Sequence, residues 1–325
     1  MQQFVDFTEE YNKVYESGKE RNLRAAIFHS NLEKIRNLNK ADRFSPFGIN
    51  KFADMSDDEF ESIFLMSDDR HNVNNSSTLE TDNVDKRSIA DHVDWTGPIP
   101  KCFDWRDRHP PVVTKVKNQG SCGSCWAFAA VAQMESVWAI QGHHPLVELS
   151  TQQVVSCSNG DCNGGFHNIA IEYVLRAGGL AKESDYKYES GSDDVTRSCC
   201  FYPSTIHARF SGLVKIGKSS ATAEDEYDMM MYLYRHGPIA VDFNSQNLRF
   251  YRDSPKILSF CGGNHRTTTH VVVLTGFGVS DSGTPFWIAR NSWGDSWGDG
   301  GYFLIERNVN MCGIAERAYA AYITP

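Results

Sequence analysis

Of the nine cysteines in this 325-residue chain, Cys125 stands where a thiol can act as a nucleophile. It lies in Gln119-Gly120-Ser121-Cys122-Gly123-Ser124-Cys125-Trp126-Ala127-Phe128. From Trp126 to Ile140 the chain is apolar nearly all round apart from Gln133, Glu135 and Ser136, and Gly142 follows as a stop. The pattern predicts a helix buried inside a protein, beginning near Ser124 with Cys125 in its first turn. Unpaired backbone N–H groups and the positive end of the helix dipole favour an anion there. The thiol should therefore ionise more readily than a free one, whose pKa is about 8.5, and the thiolate is the reactive form.

Two other chemistries fit less well. A zinc site needs a second ligand pair at similar spacing; Cys157/Cys162 and Cys199/Cys200 are irregular, and no His-x3–5-His follows. A redox CxxC wants a βαβ context, and no parallel strand precedes this helix.

Two further blocks lie downstream. One is Thr269-His270-Val271-Val272-Val273-Leu274-Thr275-Gly276-Phe277-Gly278, its histidine 145 residues after Cys125; the other is Asn291-Ser292-Trp293-Gly294, then Trp297-Gly298 and Gly301-Tyr302, its asparagine 166 residues after. With Cys-Gly-Ser-Cys-Trp, these blocks resemble the papain/cathepsin cysteine proteases. The resemblance implies that Cys125 is the nucleophile, His270 the proton carrier, Asn291 the residue orienting the imidazole, and Gln119 an oxyanion donor beside the Cys125 backbone N–H. It also implies a resting thiolate–imidazolium pair, with Trp293 shielding the Asn291–His270 contact.

Composition agrees with a globular protein: 41% of residues are hydrophobic, 22% are charged, and the net charge is −9. No basic patch suggests nucleic acid, and no apolar run reaches the roughly 20 residues that span a bilayer. The start, Met1-Gln2-Gln3-Phe4, lacks a signal-peptide pattern. The cysteine content argues for an oxidising compartment and a trimmed leader, hence the secretory pathway, lysosomal or secreted.

Charge divides the chain. Residues 1–98 carry 12 Lys/Arg against 19 Asp/Glu, and the rest 20 against 22. In the acidic third, Glu20, Arg24, Phe28, Asn31, Ile35 and Asn39 recur at helical steps. They resemble the ERFNIN pattern of cathepsin L-like proregions, and Gly48-Ile49-Asn50-Lys51-Phe52-Ala53-Asp54 resembles the GxNxFxD motif. Residues 67–94 read as a polar linker with N-glycosylation sequons at Asn74 and Asn75 and a dibasic site at Lys86-Arg87. The division expected is an inhibitory propeptide over 1–98 and a mature peptidase over 99–325, starting near Ile99.

Within the mature part, residues from about 110 to 210 read as mainly helical, with a second helix near Phe166–Ala177 ended by Gly178-Gly179. From about 211 the pattern is strand-like: Ile239–Phe243, His270–Phe277, Phe286–Asn291 and Tyr302–Glu306. That is an α+β arrangement, which the resemblance makes two-lobed with a cleft between.

The resemblance further implies bridges Cys122–Cys162, Cys157 with Cys199 or Cys200, and Cys261–Cys312. A fourth, joining Cys102 to the spare vicinal cysteine, is expected over two free buried thiols. It places substrate contacts at Gly164, Gly165, Phe166, His167, Asp242, Val271, Trp293 and Arg317. Here Arg317 and Asp242 stand where the family's pocket is usually apolar. The reading is of a cysteine endopeptidase zymogen, monomeric, with no cofactor and no metal. Its partners are polypeptide substrates, its own propeptide and cystatin-type inhibitors, not nucleic acid or membrane. The rival is a catalytically silent member acting as an inhibitor or binding protein.

Overall fold

Ser17 accepts a hydrogen bond from the Glu20 N–H and so starts the long helix that the 4-4-3-4-4 spacing predicts. In this computed structural model, which describes residues 2–66, 98–218, 221–252, 255–262 and 269–324, it is α2 (Gly18–Ala41), preceded by α1 (Gln2–Glu10) and followed by α3 (Asp57–Phe64). Phe4 and Phe7 of α1 pack on Phe28 with ring centroids 5.4 and 4.8 Å away, closing a small core. The polar members of the stripe bind backbone instead. Asn31 Nδ2 donates to the carbonyls of Ala53 and Met55 at 2.9 and 2.8 Å, and Asn39 exchanges two bonds with Phe47. Asp54 accepts from Lys13 (2.8 Å) and Tyr15 (3.0 Å), while Arg24 pairs with Glu59 at 2.8 Å. Asn74, Asn75 and Lys86-Arg87 lie outside the described residues.

The predicted buried helix is α4 (Cys125–Ile140), with every residue from Cys125 to Val137 buried. Its polar residues are satisfied inside the protein. Glu135 pairs with Lys117 at 2.6 Å and accepts from the Leu149 N–H; the Gln133 amide clasps the backbone of Ala321. Around α4 stand α5 (Thr151–Cys157), α6 (His167–Ala177), ended by left-handed Gly178, and the short pair β2 (Leu180–Ala181) and β3 (Ile206–Ala208).

The second lobe is an eight-stranded sheet. It uses β1 (Phe103–Asp104), β4 (Gly212–Lys215), β5 (Ile239–Phe243), β6 (Ile257–Leu258), β7 (His270–Val279), β8 (Pro285–Arg290), β9 (Tyr302–Glu306) and β10 (Ala318–Tyr322). The order is β4-β10-β5-β7-β8-β9-β6, with β1 beside β7. Every pair is antiparallel except β6–β9, which is parallel. A helix, α7 (Ala223–His236), packs on this sheet inside a region that reads as strand-like from sequence. Its signal was local: Thr222 and Asp225 form a reciprocal capping box ahead of an apolar stripe of Met229, Met230 and Leu233.

Disulfides Cys122–Cys162, Cys157–Cys199 and Cys261–Cys312 are formed. The fourth bridge is not. Cys102 and Cys200 are free and exposed, contrary also to the alternative of buried thiols. Cys102 is held on the sheet lobe, next to Phe103 opposite Phe277, whereas Cys200 follows Cys199 on the helical lobe and donates its N–H to Tyr186.

Candidate active site

Cys125 is fixed by the turn that precedes α4. Disulfide Cys122–Cys162 ties that turn to the 161–165 loop, where the Gly123 N–H donates to Cys162 O at 2.6 Å. Tyr188 Oη bonds Ser124 Oγ and the Gln119 carbonyl, both at 2.8 Å. Gly165 is required behind the site, since a Cβ there would lie 2.6 Å from the Trp126 indole.

His270 opens β7, on the other lobe. Its Nε2 donates to Asn291 Oδ1 at 2.8 Å. That oxygen also accepts the Ser292 N–H at 2.7 Å, which identifies it as the carbonyl end of the amide and puts the ring proton on Nε2. Nδ1 is left as the bare nitrogen, buried without a hydrogen-bond partner. The Trp293 indole covers the ring, centroid to centroid 4.7 Å. Backbone hydrogen bonding at Val271, the residue after His270, reaches Cys125, so the two lobes meet at these side chains.

Both groups are fully buried, and burial sets their charge. It pushes the Cys125 thiol up to about 12, against the pull of backbone N–H groups at Val271 and Trp126, and with Asp242 adding to the rise. It pushes His270 down to about 4, despite the Asn291 bond. Burial therefore favours neutral thiol and neutral imidazole over the expected thiolate–imidazolium pair while both groups stay covered, and it opposes the pull of the helix end.

The cover is the chain's own segment 64–66, inside the inhibitory propeptide that sequence reading expected over 1–98. Gln119 Nε2 donates to the carbonyls of Phe64 (3.2 Å) and Cys122 (3.0 Å), its Oε1 held by Ser292 Oγ at 2.7 Å. The Met66 N–H donates to Thr269 O at 3.0 Å, and its Cβ lies where a side chain on Gly164 (φ +130°) would collide. Phe52, Phe60 and Phe64 set their rings at 5.7, 5.2 and 6.1 Å from Trp293, and Lys51 Nζ donates to its carbonyl.

Sequence reading missed Arg249. It is 1% exposed, and among the described residues its guanidinium hydrogen bonds go to residues 31–57: the carbonyls of Met55 (3.2 Å) and Ser56 (2.8 Å), Asn31 Oδ1 (3.3 Å), and Asp57. No motif marks it, but the apolar i, i+4 pair Phe60/Phe64 could have shown that α3 has a face to bury.

The remaining predicted residues form one wall. Phe166 and His167 start α6; Asp242 on β5 faces Val271 on β7; Arg317 just precedes β10 and lies 3.6 Å from Asp242.

A family model described as papain family cysteine protease matches residues 99–322. The chain belongs to that family. A second model, the cathepsin propeptide inhibitor domain, matches residues 4–60. Among relatives, the viral cathepsin of Choristoneura fumiferana nuclear polyhedrosis virus is 38% identical, over 96% of this chain and 88% of that protein. That of Spodoptera litura multicapsid nucleopolyhedrovirus is 34% identical, over 98% and 90%. Digestive procathepsin L2 from Tenebrio molitor larval midgut superposes with a TM-score of 0.80 at 30% identity, over 99% of both chains. This papain-family chain is thus a cysteine protease in proenzyme form, and its own propeptide is its intramolecular inhibitor.

Proposed function

We propose that the full chain is a latent endopeptidase in which Cys125 attacks the substrate carbonyl after residues up to about 98 are removed, leaving a mature chain that begins near Ile99. With the cover gone, water and substrate reach the cleft, the cost of charge falls, and His270 Nδ1 can take the thiol proton. The thiolate adds to the carbonyl carbon. Gln119 Nε2 and the Cys125 N–H receive the oxyanion, the imidazolium protonates the leaving amine, and the C–N bond breaks. Water, deprotonated by His270, then releases the acid from the thioester. Asn291 positions the ring throughout. Gly164 and Gly165 let an extended substrate approach the backbone, with Phe166, His167, Asp242, Val271 and Arg317 around its second side chain before the cut and Trp293 on the leaving-group side.

The observation that carries this reading is the Phe64 carbonyl on Gln119 Nε2 beside an assembled His270–Asn291 pair. A peptide carbonyl already occupies the donor that a scissile carbonyl would use. Three disulfides support folding in an oxidising compartment of the secretory pathway. The test is acid processing of the full chain beside Cys125→Ser: a peptide substrate should be cleaved only by the former. Equal turnover by both would reject the mechanism.

A further inference from the structure

The wall that the reading above sets around the second side chain before the cut is not built for an apolar group. Met66 is buried in the cluster that holds Cys125, Trp126 and Val271, with Tyr319 at its edge. His167 is 1% exposed, and among the described residues its only polar partner is the backbone of Arg317, which leaves one ring nitrogen bare. Its edge faces the Tyr319 ring at 5.2 Å. The Arg317 guanidinium lies over the Phe166 ring at 5.7 Å, with Nη1 buried and ion-paired to the Asp242 carboxylate at 3.6 Å but making no hydrogen bond of its own. A buried donor or acceptor left unsatisfied costs about 1–3 kcal/mol. An apolar side chain can relieve almost none of this.

The charges narrow what could. Asp242 and Arg317 balance, and His167 is held neutral by burial and by Arg317, down to about 3. A substrate carboxylate would put a second negative charge next to buried Asp242. A substrate cation would compete with Arg317. An uncharged group carrying both donor and acceptor meets neither objection. A carboxamide has an oxygen for Arg317 Nη1 and N–H groups for the bare nitrogen of His167 or for Asp242. Glutamine reaches as far from the backbone as methionine or leucine does, or one atom farther, its longest side-chain path being four heavy atoms.

Resting on the peptidase reading above, we propose that His167, Arg317 and Asp242 make this a protease that prefers glutamine as the second residue before the cleaved bond.

The test is kcat/KM of the acid-processed full chain on peptides differing only at that residue: Gln, Leu, Glu and Lys. Glutamine should exceed leucine about tenfold, with Glu and Lys below both at neutral pH. In Arg317→Leu the Gln/Leu ratio should fall below one, and in His167→Phe it should fall several-fold. Because only ratios within each enzyme are compared, a partly folded variant still reports. Leucine preferred in the parent, or a Gln/Leu ratio unchanged in Arg317→Leu, would overturn the preference. Cleavage of no peptide, with Cys125 unmodified by iodoacetamide after processing, would instead overturn the peptidase reading beneath it.

Discussion

Gln119 Nε2 lies 3.2 Å from the carbonyl oxygen of Phe64, so the amide proposed as oxyanion donor is engaged by the segment that follows α3. Latency is therefore local to the chemistry as well as steric. Gln119→Ala should lower kcat of the processed enzyme by roughly 10²–10³, the typical worth of one such donor, with little change in KM. It should also loosen segment 64–66 in the proenzyme, seen as earlier activation. A kcat within twofold of the parent would show that Gln119 is not the donor.

Cys125 should be chemically silent until the cover leaves. Burial pushes the thiol up, so the thiolate that alkylation needs is scarce at neutral pH while the cover stays in place. Iodoacetamide on the proenzyme should label Cys102 and Cys200, both exposed, and spare Cys125; after processing, Cys125 should label fastest. Peptide mapping separates the three. Rapid labelling of Cys125 in the intact proenzyme would contradict the neutral pair.

A thiol count checks the bridge pattern. Denatured, unreduced proenzyme should titrate three thiols, Cys102, Cys125 and Cys200. A single thiol would mean that Cys102 and Cys200 are joined after all.

Arg249→Ala should weaken the grip of the propeptide. Hydrogen bonds to a charged group are worth about 1.5–3 kcal/mol net, so activation at neutral pH should quicken roughly ten- to a hundredfold. The melting temperature of the processed enzyme should change little, because among the described residues the guanidinium hydrogen bonds of Arg249 go to residues 31–57. An unaltered activation time course would deny it this role.

Acid should assist activation through Glu59. Its hydrogen bond to Arg24 holds the carboxyl below the usual range. A depressed carboxylate stabilises the fold fully above its unfolded value, about 4.3, and that contribution is lost as pH falls through the folded one. Acidification thus unties α2 from α3. Glu59→Gln removes the charge at every pH, so its proenzyme should mature faster near neutrality and show a flatter pH profile. A profile parallel to the parent's would place the trigger elsewhere.

Sequence alone determined the parts whose cause is local. The apolar run after Ser124 can only be a buried helix, so Cys125 had to stand at its start. The stripe from Glu20 to Asn39 sets one helix face, and the dense β-branched run after His270 sets a central strand. The α7 capping box was equally local and simply went unread. Tertiary structure alone decided the burial of Cys125, whose desolvation opposes the helix-end stabilisation that sequence reveals. It also decided the partners of Arg249 and the fate of Cys102 and Cys200. Those depend on which surfaces the folded chain lays together across long separations, and no spacing in a linear sequence records a distance in space.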